Sequence, residues 1–209
     1  MIIVRTNCDL ATEYTYVWTE PIITEAESRG FKVTLVQGKE VGMDHFNKRI
    51  QKIKPKFIMF NGHGSKNCFY DNNWKELMNL NSVHLLKGSI TFARACDCLR
   101  ELGSKAVEEG CPAFIGYTRK FMIPRWHSQT CKPLSDPAAK PVMECSNSVV
   151  LELLKNKTVE KAVVKSHELS ERVMMDLIYS SEPFASATLQ SVIHNDSSLD
   201  FKGNGGVKV

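Results

Sequence analysis

Two short segments carry residues fit for nucleophilic chemistry. The run FIMFNGHGS sets His63 between Gly62 and Gly64, and the run ITFARACDC sets Cys96 just past an apolar stretch. A thiolate is a nucleophile, and a neighbouring imidazole takes the thiol proton or stabilises the resulting charge. Glycines flanking the histidine allow a tight turn and close approach of a substrate backbone. The amide of Gly64, with that of Cys96, is suited to donate to an oxyanion. Each residue alone has a plainer reading, Cys96 as a buried thiol and His63 as a turn residue. Their joint placement, each after an apolar run of strand length, favours the chemical one.

These residues need a scaffold, and the chain patterns one. Residues 2–5 (IIVR) read as a buried opening strand. A helical pattern runs from Thr12 to Ser28, with a kink or restart expected at Pro21 and an end at Gly30. Phe31 to Val36 alternates as a strand, Met43 to Ile53 is helical, and Phe57 to Phe60 is a continuous apolar strand. Ile90 to Ala95 and Ala113 to Tyr117 are further strands, with a helix from Leu99 to Glu109 between them. Alternating strands and helices argue for a parallel sheet covered on both faces. His63 and Cys96 then fall at the C-terminal ends of parallel strands, the edge where open α/β sheets bind ligands. A helix opening soon after Cys96 would aim its positive end at the sulfur and lower the thiol pKa.

Cys68 to Leu86 reads as a less regular insert, a small hairpin or turn around Asp71-Asn72-Asn73, and not as a core strand. Thr118 to Cys145 is irregular and rich in proline, the texture of a functional or disordered segment. Phe121 and Trp126 in it either cover a groove or anchor the loop, with the groove favoured. Helical texture resumes at Asn147, and Glu160 to Ser180 reads as an amphipathic packing helix. The end, GNGGVKV, is expected to be loose or a weak late strand.

The composition excludes several classes of function. With 209 residues, 43% hydrophobic and 24% charged, the chain matches a soluble globular domain. A net charge of +4 without a Lys/Arg block gives no indication of nucleic-acid binding. No apolar stretch is long enough for a membrane span. The N-terminus turns polar too soon for a signal peptide, so a cytoplasmic location is expected. The seven cysteines then read mostly as buried thiols. Cys96-Asp97-Cys98 is too tight for an ordinary zinc knuckle, so no metal is expected. Asp97 reads first as a helix-capping acid and second as a catalytic group, and Cys98 as packing. A phosphate-cradling glycine loop is lacking, which counts against a nucleotide-binding domain.

An apolar strand ending in His-Gly, then one ending in Ala-Cys, resembles the caspase-like cysteine peptidases. This group holds the caspases, gingipains, clostripain, separase and the CHAT proteins. Arg94-Ala95-Cys96 departs from the Gln-Ala-Cys of caspases. The succession GHGS, ARACDC, AFIGYT is most similar to gingipain-like or CHAT-like prokaryotic members, over Phe57 to Thr118. The resemblance implies a three-layer α/β/α sandwich with a mostly parallel sheet. It implies one peptidase domain over residues 1–195, an irregular loop at 118–145 and a flexible tail at 196–209. His63 would be the general base or protonate the leaving amine, and Cys96 would be the nucleophile of a thioester mechanism on a polypeptide substrate. No cofactor is required; several relatives use calcium, but no EF-hand-like loop is present.

In such peptidases the residue two before the cysteine often lines the pocket for the side chain preceding the cut. Arg94 stands there, so the pocket is expected to prefer an acidic or polar residue. Asp9, just after the first strand, is placed near the same pocket; an internal Arg94–Asp9 pair would remove that preference. Relatives are often held inactive until a loop is cut or a regulatory protein binds, and 118–145 is the natural segment for such control. The alternative is a catalytically silent caspase-like binding or scaffold module.

Overall fold

A computed structural model describes residues 1–209. Five strands run parallel in the central sheet: Ile2–Arg5 (β1), Thr34–Gln37 (β2), Phe57–Asn61 (β3), Ile90–Arg94 (β6) and Ala113–Tyr117 (β7). Between β3 and β6, Cys68–Tyr70 (β4) and Glu76–Asn79 (β5) form a separate antiparallel hairpin. Leu199–Gly203 (β8) closes the sheet antiparallel to β7, giving the order β2-β1-β3-β6-β7-β8. The helices are Leu10–Val17 (α1), Glu20–Ser28 (α2), Met43–Ile53 (α3), Glu101–Glu108 (α4), Ala139–Leu154 (α5), Val159–Ile178 (α6) and Ala185–Asp196 (α7).

Alternate strand residues feed two cores, one on each face. Ile2, Val4, Ile58, Phe60 and Ala93 meet Phe46 and Ile50 of α3 and Leu102 and Ala106 of α4. Ile3, Phe57, Met59, Phe92 and Ile115 meet Ile22 of α2, Val149 and Leu153 of α5, and Val163 of α6. Every residue of β1, β3, β6 and β7 is buried, which is why these strands read as continuous apolar runs. The result is the three-layer α/β/α arrangement with a mostly parallel sheet. No helix is long and apolar enough to cross a membrane.

Several expectations need correction. The helical pattern over 12–28 restarts at Pro21 as two helices, with Pro in the first turn of α2, where its missing N–H costs no bond. The strand expected at 31–36 lies at Thr34–Gln37, set by its pairing with β1. The flexible tail expected from residue 196 instead supplies β8. Its residues pair with all of β7, from Ala113↔Gly203 to Tyr117↔Leu199, and Leu199 is buried beneath them. The polar sequence LDFKG is that of an edge strand with one face in solvent, which a search for apolar runs passes over. The irregular segment ends at residue 138, not 145, because α5 begins at Ala139.

What remains of the irregular segment is tied down by one buried acid. Asp136 accepts the Tyr14 hydroxyl at 2.5 Å and the backbone amides of Trp126 and Ala138 at 3.0 and 2.9 Å. Trp126 packs edge-on against Phe184, with ring centroids 5.8 Å apart, so it anchors the loop and does not cover a groove.

Candidate active site

The sheet register brings His63 and Cys96 together. Asn61 of β3 pairs with Arg94 of β6, and each candidate residue lies two positions beyond its strand's end. Adjacent strands run about 5 Å apart, so equivalent positions past paired ends are neighbours. Both residues line one cleft, with Gly62, Arg94 and Phe121.

Tight backbone contacts shape the turns. Gly62 has φ +152°, and a Cβ there would meet Thr6 Oγ1 at 2.2 Å. Its amide donates to the Arg94 carbonyl at 3.3 Å, stitching the two turns together. At Gly64 a Cβ would lie 2.9 Å from Ala95 Cβ and 3.2 Å from the Cys96 carbonyl oxygen. Gly64 therefore backs directly onto the cysteine. Neither the Gly64 amide nor the Cys96 amide donates to a protein acceptor, so both are free for a substrate oxygen. Asp97, with φ +56°, turns the chain immediately after the cysteine, and its amide donates to the Arg119 carbonyl.

Asp9 does not pair with Arg94 and is not among the residues lining the cleft. It caps α1, accepting the Thr12 amide at 2.9 Å through Oδ1, and its Oδ2 lies 2.6 Å from His63 Nε2. The short capping turn after β1 carries its carboxylate toward the β3 edge. Burial would raise the Asp9 carboxyl pKa, but hydrogen bonds from the Thr12 amide, from His63 and from the Thr12 hydroxyl outweigh it and hold the pKa below its ordinary value. The carboxylate fixes His63 by Nε2 and leaves Nδ1 as the nitrogen open to other chemistry. Trp74 stacks on His63: its indole lies over the imidazole, centroids 4.3 Å apart and planes 20° apart. Reading the hairpin as peripheral missed Trp74; a tryptophan in a polar turn, 57% exposed in the structure, was the available signal.

Burial pushes the Cys96 thiol pKa up; the Phe121 backbone amide lowers it, the Asp97 carboxylate adds to the rise, and Lys120 opposes it. The helix expected after Cys96 does not reverse this. It starts only at Glu101, and its Glu101 and Leu102 amides donate to the Lys66 carbonyl. Cys98 is fully buried, and burial lifts its thiol to about 12, as suits a packing residue.

Arg94 is fully buried at the cleft. Its Nε donates to Ser146 Oγ at 3.0 Å and one terminal nitrogen to Asn147 Oδ1, while Nη1 has no partner. Ser146 and Asn147 on α5 are residues that sequence reading did not single out. As for metal binding, Cys8, Asp9 and His63 offer ligand atoms within 4.8 Å of one another, although the His63–Asp9 hydrogen bond already uses two of them.

No family model and no curated protein matches the sequence. Among solved structures, the chain is similar to the Arg-specific cysteine proteinase gingipain R, with a TM-score of 0.66 and 12% identity over 100% of this chain and 47% of that one. The complex of the Porphyromonas gingivalis gingipain pro- and mature domains matches with a TM-score of 0.63 and 12% identity, over 100% of this chain and 48% of the other. The chain thus spans about half the length of these structures. Its fold is caspase-like.

Proposed function

We propose that the chain is a cysteine peptidase acting on polypeptides through His63 and Cys96. The observation that carries this reading is one cleft holding both residues, with the histidine's far nitrogen anchored by a carboxylate. His63 Nδ1 takes the thiol proton as Cys96 Sγ attacks the scissile carbonyl carbon. The Gly64 and Cys96 amides receive the oxyanion. The C–N bond breaks as the imidazolium protonates the leaving amine, giving a thioester. Water, deprotonated by His63, then hydrolyses the thioester and restores the thiol. Asp9 holds the imidazole and stabilises its charged form.

The resting site supports control as part of the same reading. The Phe121 amide faces the sulfur, and Phe121 and Ile123 wall the cleft. Loop cleavage or a regulatory protein that draws this segment away would free the thiol. Gingipain-like or CHAT-like membership and a cytoplasmic setting, in keeping with seven free cysteines, belong to this proposal.

A second reading, a silent binding module, is favoured by the half-buried Cys96 thiol, whose pKa burial raises above its ordinary value. Labelling with a thiol-reactive peptide electrophile separates the two. Selective modification of Cys96, abolished by His63→Ala, is expected of the peptidase. Modification spread over the seven cysteines, or unchanged in His63→Ala, would reject it.

A further inference from the structure

Cys8, Asp9 and His63 place a sulfur, a carboxylate oxygen and a ring nitrogen within 4.8 Å of one another. Cys8 has no part in the peptide chemistry of His63 and Cys96. Buried Thr12 organises the turn that presents two of the three ligand atoms. Its Oγ1 accepts the Cys8 and Asp9 amides at 2.9 and 3.0 Å, and it lies 3.7 Å from Cys8 Sγ. The Thr12 amide occupies Asp9 Oδ1, so Oδ2 is the oxygen open to a ligand, and its use leaves the α1 cap intact. Trp74 covers one face of the His63 ring and fixes its plane. The Asp9 and His63 side chains are 38% and 23% exposed, so an ion reaches them from solvent. Donor chemistry then selects the ion. Thiolate, imidazole and carboxylate together suit zinc, whereas calcium and magnesium take oxygen ligands. Zinc bonds of about 2.0–2.3 Å set tetrahedral ligand atoms about 3.3–3.6 Å apart. Asp9 Oδ2 and His63 Nε2, at 2.6 Å, need open by less than about 1 Å, and the ion replaces the proton between them.

We infer that Cys8, Asp9 and His63 bind one zinc ion, and that the bound ion holds the peptidase inactive. The second half rests on the peptidase reading above; the first does not. Without metal, Asp9 engages His63 Nε2 and Nδ1 is the free base. Zinc on Nε2 reverses this arrangement. The neutral ring then carries its proton on Nδ1, which cannot receive the proton of the Cys96 thiol. Asp9 is drawn onto the metal at the same time and no longer stabilises an imidazolium. The Cys96 sulfur does not belong to the cluster, so the ion acts on the base and not on the nucleophile. The fourth tetrahedral position is left to water. Removal of zinc restores the Asp9–His63 hydrogen bond and with it the base.

The test titrates the full chain with Co²⁺, a tetrahedral stand-in for zinc whose thiolate charge-transfer band reports a bound sulfur. One ion per chain carrying that band is expected, displaced by Zn²⁺. The band is lost in Cys8→Ser and in Cys8→Ala, each checked for an unchanged melting temperature. Mass spectrometry then follows alkylation of Cys96 by a peptide fluoromethyl ketone. Zn²⁺ is expected to slow it at least about tenfold in the wild type, and EDTA to restore it. In Cys8→Ser the metal-free rate stays within about twofold of wild type. The Zn²⁺ concentration that halves that rate rises at least about tenfold, since even outer-shell partners are worth about ten- to a hundredfold in metal affinity. No stoichiometric binding, or a band unchanged in both variants, overturns the inference. Equal zinc inhibition of wild type and Cys8→Ser places the ion elsewhere and overturns it too, leaving the peptidase intact. Binding through Cys8 without effect on Cys96 alkylation overturns the control by zinc. If Cys96 is never labelled, with or without metal, the peptidase reading fails, and the Co²⁺ titration alone decides the metal site.

Discussion

Asp9 Oδ2 approaches His63 Nε2 to 2.6 Å while the other Asp9 oxygen caps α1 through the Thr12 amide. One carboxylate thus joins the end of β1 to the turn after β3. Helix capping and histidine orientation become a single structural requirement.

Asp9→Asn separates these roles. Asparagine caps a helix about as well as aspartate, so stability is expected to change by less than about 1 kcal/mol. Its amide N–H would face Nε2, favouring the tautomer with the proton on Nδ1, which cannot accept the thiol proton. Peptidase activity should fall about a hundredfold or more. Activity within a few-fold of wild type would remove Asp9 from the mechanism. The sign of the pH effect follows from the depressed Asp9 pKa. The stabilisation is present above the ordinary carboxylate value and is lost only as pH falls through the lower folded value. Wild type, but not Asp9→Asn, should show this extra acid-side loss in melting curves.

The Cys96 thiol should react slowly with a small alkylating agent that makes no substrate-like contacts. Its pKa is raised by burial, whereas Cys131 is exposed. At pH 7.5 iodoacetamide should modify Cys131 about tenfold or more faster than Cys96, whose rate climbs only above the ordinary thiol range. Peptide mapping that finds Cys96 modified first would contradict the raised pKa.

Gly64→Ala places a methyl 2.9 Å from Ala95 Cβ and 3.2 Å from the Cys96 carbonyl. The turn must shift, at an expected cost of about 1–3 kcal/mol. The oxyanion donor moves with it, so activity should drop by at least about tenfold. A stable, fully active Gly64→Ala protein would show that this amide is not used.

Tyr14→Phe removes the 2.5 Å hydrogen bond to buried Asp136. Asp136 keeps the Trp126 and Ala138 amides, so the expected cost is about 1–3 kcal/mol by denaturant unfolding. A loss below about 0.5 kcal/mol would mean that the loop is held mainly by packing.

The parallel core was legible because β3, β6 and β7 are buried on both faces and so appear as unbroken apolar runs. His63 and Cys96 stood out because both follow such runs. Strand β8 was not legible, since an edge strand with polar outward residues lacks that pattern. The start of α5 was hidden by Pro141 within its first turn, where proline is tolerated.

The sequence by itself determined the fold class and the two residues fit for thiol chemistry, because both depend on local patterns of apolar and reactive side chains. Tertiary structure decided what those residues touch. Asp9 lies 54 residues from His63 in the chain, Ser146 and Asn147 lie 52 and 53 residues from Arg94, and Trp74 reaches His63 from a separate hairpin. Such partners are selected by strand register and loop path, which no local pattern records. That is why the sequence left Asp9 and Arg94 open as a pair, and why folding assigns them to different neighbours.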